Sequence, residues 1–243
     1  MNVLNKALDK LSGTTPVNEF VADADAYDRA RHRFEGRLGS QRSDWLAEYH
    51  DAGGECFGGL DIETAAHLYA LVCTQEPEVV VETGVCNGTS TLAFLLGIDH
   101  NGHGQLHSVD YPFFADEELA EFRAKTFADY GGAAIPADKS PGWIVPNRLR
   151  DPWELHLGKS QQKLPRLLSD LGAVELFLHD SEHSLPCQMF EYELAWHHLD
   201  AGGLLVSDDI NWTRAWDGFV RARDAQASEL ADGLAAARCE VSE

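Results

Sequence analysis

From residue 61 onward the chain alternates short, uninterrupted apolar runs with longer stretches in which apolar residues recur at helical spacing. The runs predict five strands, Glu78–Glu82, Gln105–Asp110, Glu154–Leu157, Val174–His179 and Gly203–Ser207. The stretches between them predict helices over Thr89–Gly97, Asp116–Tyr130, Gln161–Leu171 and Pro186–Leu199. Val79-Val80-Val81, Leu176-Phe177-Leu178 and Leu204-Leu205-Val206 are apolar at consecutive positions, so both faces of each strand need a cover. Two-faced strands alternating with helices imply a doubly wound α/β fold, its sheet mostly parallel and flanked by helices on both faces.

Upstream the pattern is more polar. Asp23–Arg37 reads as a charged helix, and Gly53, Gly54, Gly58 and Gly59 punctuate a loop. Residues 1–60 thus read as an N-terminal helical cap that forms a single folding unit with a Rossmann-like domain over 61–243. Asp61 is a good N-cap for Ile62–Cys73, where Ile62, Ala65, Ala66 and Tyr69 lie at helical spacing. One stretch breaks the rhythm: Gly131–Asp151 holds three prolines, three glycines and Trp143. It is too long for a tight connector and reads as a substrate loop anchored by that tryptophan.

Charge narrows the partners. Nineteen Lys and Arg against 40 Asp and Glu leave a net charge of −21, which repels nucleic-acid phosphates and anionic membrane surfaces. The acids are spread along the chain, as on a solvated, halophile-type surface. The five cysteines are odd in number and scattered, which argues against a disulfide framework or a zinc knuckle. No window approaches the roughly 18 apolar residues of a membrane span, so a cytoplasmic location is expected.

Three segments carry chemistry. Val79-Val80-Val81-Glu82-Thr83-Gly84-Val85-Cys86-Asn87-Gly88 is a strand entering a glycine loop ahead of a helix. Cys86 occupies the place of the second glycine of a dinucleotide fingerprint, which disfavours NAD. Asp110 ends the next strand, where a carboxylate can accept both hydroxyls of a ribose. Asp180, Asp208 and Asp209 end two further strands and offer three hard oxygen donors suited to Mg²⁺, Mn²⁺ or Ca²⁺. His179-x-x-Glu182-His183 also fits the pattern of inverted zinc peptidases, hence a metal-dependent hydrolase as a rival. That chemistry needs both histidines on one helix face, whereas His179 ends a strand and Ser184 with Pro186 begins the next helix.

Over residues 60 to 220 these segments resemble class I S-adenosylmethionine-dependent methyltransferases. Asp180 followed by Asp208-Asp209 is similar to the metal triad of catechol and of sugar and macrolide O-methyltransferases. The resemblance implies that Glu82, Gly84, Cys86 through its backbone, Asn87 and Ser90 surround the methionine part of the cofactor. It places Asp110 on the ribose, Lys159 and Ser160 near the adenine, and Asp180 in both the cofactor shell and the metal set. The general base falls on His183 by the catechol spacing and on Glu182 by the macrolide spacing. His183 is the better base near pH 7 beside a metal-bound hydroxyl. The implied acceptor is a sugar, glycan or small natural product, with Trp143 and Trp212 shaping its pocket. A protein that holds the cofactor without catalysis is the other rival.

Two departures from the family stand out. About 34 residues follow Asp209, little for a helix and a closing hairpin, so the last two strands are expected to be shortened or supplied by a homodimer partner. Asp209 itself stands where the catechol enzyme has asparagine, which makes the site more anionic. An acidic acceptor would then need the metal, or Lys139, Arg148 or Arg150, to offset repulsion.

Overall fold

The computed structural model describes residues 15–36, 60–115 and 134–240. The predicted helix Asp116–Tyr130 and the glycines at 53 to 59 lie outside them. The described elements, in chain order, begin with α1 (Val17–Phe20), a helix over 24–36 (α2), α3 (Ile62–Gln75), β1 (Val79–Thr83), α4 (Thr89–Asn101) and β2 (Gln105–Asp110). Short strands β3 (Phe113–Ala115) and β4 (Ala134–Pro136) pair with each other. Then come β5 (Trp153–Leu157), α5 (Ser160–Leu171), β6 (Val174–His179), α6 (Leu185–Trp196), β7 (Leu199–Ser207), α7 (Ala215–Arg223), β8 (Gln226–Ala231) and β9 (Leu234–Arg238).

Seven strands form one sheet in the order β5-β2-β1-β6-β7-β9-β8, parallel from β5 through β7 and antiparallel at β9 and β8. The alternation of side chains along each strand divides the core in two. Val80, Leu106, Leu176, Leu178 and Leu204 pack under α3 and α4, while Val81, Val109, Phe177 and Leu205 pack with Leu164, Leu168, Tyr192 and Phe219 of α5, α6 and α7. The cap shares the first of these cores: Phe20, Tyr27, Ala30 and Phe34 are buried in it, and the Tyr27 hydroxyl meets His67 Nδ1 at 2.7 Å. Asp61 caps α3 as expected, its side chain accepting from the Thr64 amide at 2.8 Å.

The expected shortage of chain at the C-terminus is corrected. After Asp209 the chain fits a nine-residue helix and two strands of six and five residues, and β9 inserts between β7 and β8. The closing strands therefore come from this chain. The connection is only Asp232-Gly233, with Gly233 at φ 80°, and Ala235, Ala236 and Ala237 are small enough to bury between neighbours. β7 also starts four residues earlier than predicted, at Leu199. A register shift against β6, with Gly202 at φ 86°, carries the strand back through Asp200, Ala201 and Gly202, ahead of the predicted start at Gly203.

Candidate active site

The C-terminal ends of β1, β2, β6 and β7 open on one crevice, the position where such sheets bind ligands. Its floor is set by a close crossing of two loops. Gly84 takes φ 83°, and a Cβ there would stand 1.8 Å from the Asp180 carbonyl oxygen. The Asp180 amide in turn donates to the Thr83 carbonyl at 3.0 Å. Gly84 thus lets β1 and β6 turn past one another and brings Asp180 beside the glycine loop. Gly88 enters α4 at φ 102°, where any side chain would strike Gly142 of the 134–151 loop.

Glu82 does not face the crevice. It is fully buried, and its oxygens accept from Ser90 Oγ at 2.8 Å, Thr91 Oγ1 at 2.5 Å and Ser108 Oγ at 2.7 Å. Burial outweighs those bonds and pushes its carboxyl up to about 7. Glu82 and Ser90, which the resemblance places around the methionine part of the cofactor, bond to each other and brace the loop from below. Asn87 is likewise engaged, its Oδ1 accepting from Trp143 Nε1 at 2.7 Å. The Gly142 amide donates to the Cys86 carbonyl, and Arg150 ties the same loop by donating to the Gly142 and Val145 carbonyls. The 134–151 segment is therefore packed onto the glycine loop, with Lys139 above the Trp143 ring at 5.1 Å.

Asp110 is different. It is buried and accepts from the backbone amides of Val85, Cys86 and Tyr111, yet its Oδ2 has no hydrogen-bond partner in the protein. Burial pushes this carboxyl up to about 6. An orphaned carboxylate oxygen at a strand end beside a glycine loop fits a pair of ribose hydroxyls. Beyond it, Gly158 donates to the Asp110 carbonyl, Lys159 Nζ lies 5.5 Å from the exposed Tyr111 ring, and the Ser160 hydroxyl turns away to Cys187 Sγ at 3.9 Å.

The ends of β6 and β7 hold the acids. His183 is buried, with Nε2 3.9 Å from Asp180 Oδ1 and 3.5 Å from Asp209 Oδ2, and its ring leans on Trp212 at 5.9 Å. Burial, reinforced by the neighbouring His179, lowers its pKa to about 3, so the ring is neutral near pH 7. Glu182 points outward and accepts from Ser184 Oγ at 2.5 Å. Asp180 is held well above the usual carboxylate range, first by burial and then by the charges of Asp208, Asp209, Glu82 and Asp110. Asp208 is pushed up to about 7 by burial and by Asp209, and Asp209 is raised by burial. Like charges accumulate here, which a cation would relieve. The donor set of Asp180, Asp208 and Asp209 fits a hard divalent metal, although their oxygens do not all close to within 4.8 Å.

One buried group escapes the sequence reading. Glu191 of α6 accepts from Thr83 Oγ1 at 2.6 Å and Ser181 Oγ at 2.8 Å, and meets His179 Nδ1 at 2.6 Å. Burial alone would raise this acid, but His179 and the hydroxyl donors lower it to about 2. It anchors the β6 end that carries Asp180 and His183. The signal was an acid at helical spacing from Cys187, on the buried face of α6. His179 ends β6, Ser184 caps α6 and His183 lies between them, so the two histidines share no helix and the inverted zinc-peptidase pattern is accidental.

Residues 81–210, more than half of the chain, match the family model of the methyltransferase domain. Solved structures share the fold at low identity. One is cofactor-bound Rv0187 from MTB, with 17% identity, 98% of this chain and 97% of that chain covered, and TM-score 0.53. Another is an O-methyltransferase from Bacillus cereus in complex with SAH, with 14% identity, 80% and 89% covered, and TM-score 0.52. A third is the O-methyltransferase TomG from Streptomyces achromogenes, involved in tomaymycin synthesis and solved with SAM, with 14% identity, 99% and 97% covered, and TM-score 0.51. No protein of curated function matches the chain. The fold and the crevice define a class I methyltransferase, and the chain belongs to the methyltransferase-domain family. It is an S-adenosylmethionine-dependent enzyme. Among the described residues no helix is long and apolar enough to cross a membrane.

Proposed function

We propose that this enzyme transfers the methyl group of S-adenosylmethionine to an oxygen of a sugar, glycan or small natural product, either a hydroxyl or a carboxylate. The observation that carries the reading is the meeting of buried His183 with Asp180 and Asp209 at the mouth of the crevice. Asp110, through its unpartnered Oδ2, takes the ribose hydroxyls and fixes the cofactor's orientation. The glycine loop from Gly84 to Asn87 leaves backbone surface for the methionine part, and Lys159 borders the adenine.

Asp180, Asp208 and Asp209 would hold a divalent metal, Mg²⁺ before Mn²⁺ or Ca²⁺, which when bound lowers the pKa of an acceptor hydroxyl. Where the acceptor is a hydroxyl, His183 accepts its proton at Nε2, the nitrogen that faces Asp180 and Asp209, and those carboxylates stabilise the imidazolium that results. A carboxylate acceptor has no proton to lose and does not need this step. Trp212 covers the ring and excludes water from that side. Glu182, exposed and bonded to Ser184, is the weaker candidate for the base.

Isothermal titration with S-adenosylmethionine tests the reading. Asp110→Ala is expected to lose cofactor binding by about tenfold or more, the loss of a charge-assisted contact. Asp180→Ala is expected to lose Mg²⁺ binding and turnover of any acceptor the parent methylates, with a smaller loss of cofactor affinity than Asp110→Ala. Absence of cofactor binding by the parent would sink the proposal. Turnover preserved in Asp180→Ala and His183→Ala would remove these residues from it.

A further inference from the structure

A second group of titratable side chains lies away from the crevice, at the edge of the sheet. His107 on β2 is the register partner of Glu154 on β5, and His156 lies two residues further along β5, so all three side chains leave the same face. Among the described residues this is the one group of three candidate metal ligands whose donor atoms all lie within 4.8 Å of one another. His107 Nδ1 stands 3.5 Å from Glu154 Oε2, and His156 Nε2 stands 3.6 Å from Glu154 Oε1. The two rings stack with centroids 5.9 Å apart and planes at 22°.

The histidines are not satisfied by the protein. The His107 side chain is only 9% exposed, yet neither of its ring nitrogens has a hydrogen-bond partner, and His156 Nε2 has none either. Buried polar atoms are nearly always partnered, so two orphaned nitrogens from different rings, His107 Nδ1 and His156 Nε2, both facing one carboxylate, point to a missing ligand. We propose that His107, Glu154 and His156 form a binding site for a divalent metal of the zinc class, separate from the crevice, with a fourth position open to water.

The donor chemistry selects the metal. Two imidazoles and one carboxylate suit Zn²⁺, or Co²⁺ in its place, whereas Mg²⁺ and Ca²⁺ prefer oxygen ligands throughout. Bonds of about 2.0–2.1 Å in a tetrahedral site put neighbouring donors roughly 3.3–3.4 Å apart. The separations of 3.5 and 3.6 Å are close to that edge and too long for good hydrogen bonds. Burial lowers the pKa of His107, so its ring offers a lone pair near pH 7. Glu154, 65% exposed, gives the ion a route in from solvent. A bound ion would staple edge strand β5 to β2, three residues before Asp110 on the same strand.

The test uses the whole protein after dialysis against a chelator. Calorimetric titration with Zn²⁺ is expected to show one-to-one uptake at this site, and Co²⁺ is expected to give the intense visible bands of a four-coordinate ion with nitrogen ligands. Glu154→Gln and His156→Ala are expected to weaken Zn²⁺ binding by about tenfold or more, since even indirect supporting partners contribute that much. Asp180→Asn, at the crevice, is expected to leave the Co²⁺ spectrum unchanged. Failure of the parent to take up Zn²⁺ overturns the proposal. So does uptake undiminished in both β5 variants, or a Co²⁺ spectrum abolished by Asp180→Asn. Far-ultraviolet circular dichroism of each variant separates loss of a ligand from loss of the fold.

Discussion

Glu82 has no solvent to share its charge with, and its three hydroxyl donors do not fully compensate, so its carboxyl titrates near 7 instead of its ordinary 4.5. The sign of the consequence follows from proton counting. Between those two values the folded protein keeps a proton that the unfolded chain has released, so stability falls as pH rises through this window. The full loss at pH above 7 is on the order of 3 kcal/mol, from about 1.4 kcal/mol per unit. Glu82→Gln keeps the shape and cannot ionise. Its melting temperature relative to the parent's is expected to rise by several degrees between about pH 5 and pH 8; parallel curves for the two proteins would refute the assignment. Gly84 makes a second point at this scale. Gly84 and Gly102 share left-handed backbones at φ 83° and 79°, but a Cβ at 84 meets the Asp180 carbonyl whereas nothing lies within 4 Å of one at 102. Gly102→Ala should therefore cost only about 1 kcal/mol of backbone strain, and Gly84→Ala more than about 3 kcal/mol, read from urea midpoints. Equal costs would mean that the crossing of β1 and β6 is not rigid.

The 134–151 segment shows how an element without regular structure can still be fixed. Trp143 donates to Asn87, and the amides of Gly142 and Ile144 donate to the carbonyls of Cys86 and Asn87. Trp143→Phe keeps an aromatic ring but removes the indole donor, a loss of about 1 kcal/mol from the hydrogen bond. Hydrogen exchange at the Gly142 and Ile144 amides is expected to accelerate by roughly the corresponding factor of five, while exchange in β1 is unchanged. Unchanged protection at Gly142 and Ile144 would show that Arg150, not Trp143, holds the loop. Trp143 was legible as an anchor because an aromatic among prolines and glycines needs a reason. Its partner was not, since nothing local connects residue 143 to residue 87. The central strands were legible for the same kind of reason: Val79-Val80-Val81 and Leu176-Phe177-Leu178 bear their burial in their composition. The closing hairpin was not. Leu234-Ala235-Ala236-Ala237 has the composition of a helix, and only tertiary packing between β7 and β8 makes it a strand. The Asp232-Gly233 pair was the available turn signal. At the site, the positions of Asp110, Asp180 and Asp209 followed from their places at strand ends. The inward turn of Glu82 to three hydroxyls depended on partners at 90, 91 and 108 that no spacing rule connects.

At the scale of the molecule, two anionic systems act in different media. One is the surface, which carries most of the net charge of −21 and is bathed in electrolyte. The other is the crevice, where Asp110 is buried, Asp180 and Asp208 are half-buried, and all three titrate above their ordinary range. Monovalent salt reaches the first far better than the second, because screening shortens from about 10 Å at 0.1 M to about 3 Å at 1 M only where ions can enter. Sodium chloride is therefore expected to raise the melting temperature near pH 7 by relieving surface self-repulsion, and to do so much less near the isoelectric point of about 4.7. A divalent ion acts on the second system by direct coordination. Millimolar Mg²⁺ at saturating sodium chloride should add a further increment in the parent, and that increment should vanish in Asp208→Asn while the response to sodium chloride is retained. If sodium chloride leaves the melting temperature flat at both pH values, surface repulsion is too dispersed to matter. If the Mg²⁺ increment survives in Asp208→Asn, the cation is stabilising the surface and not the crevice.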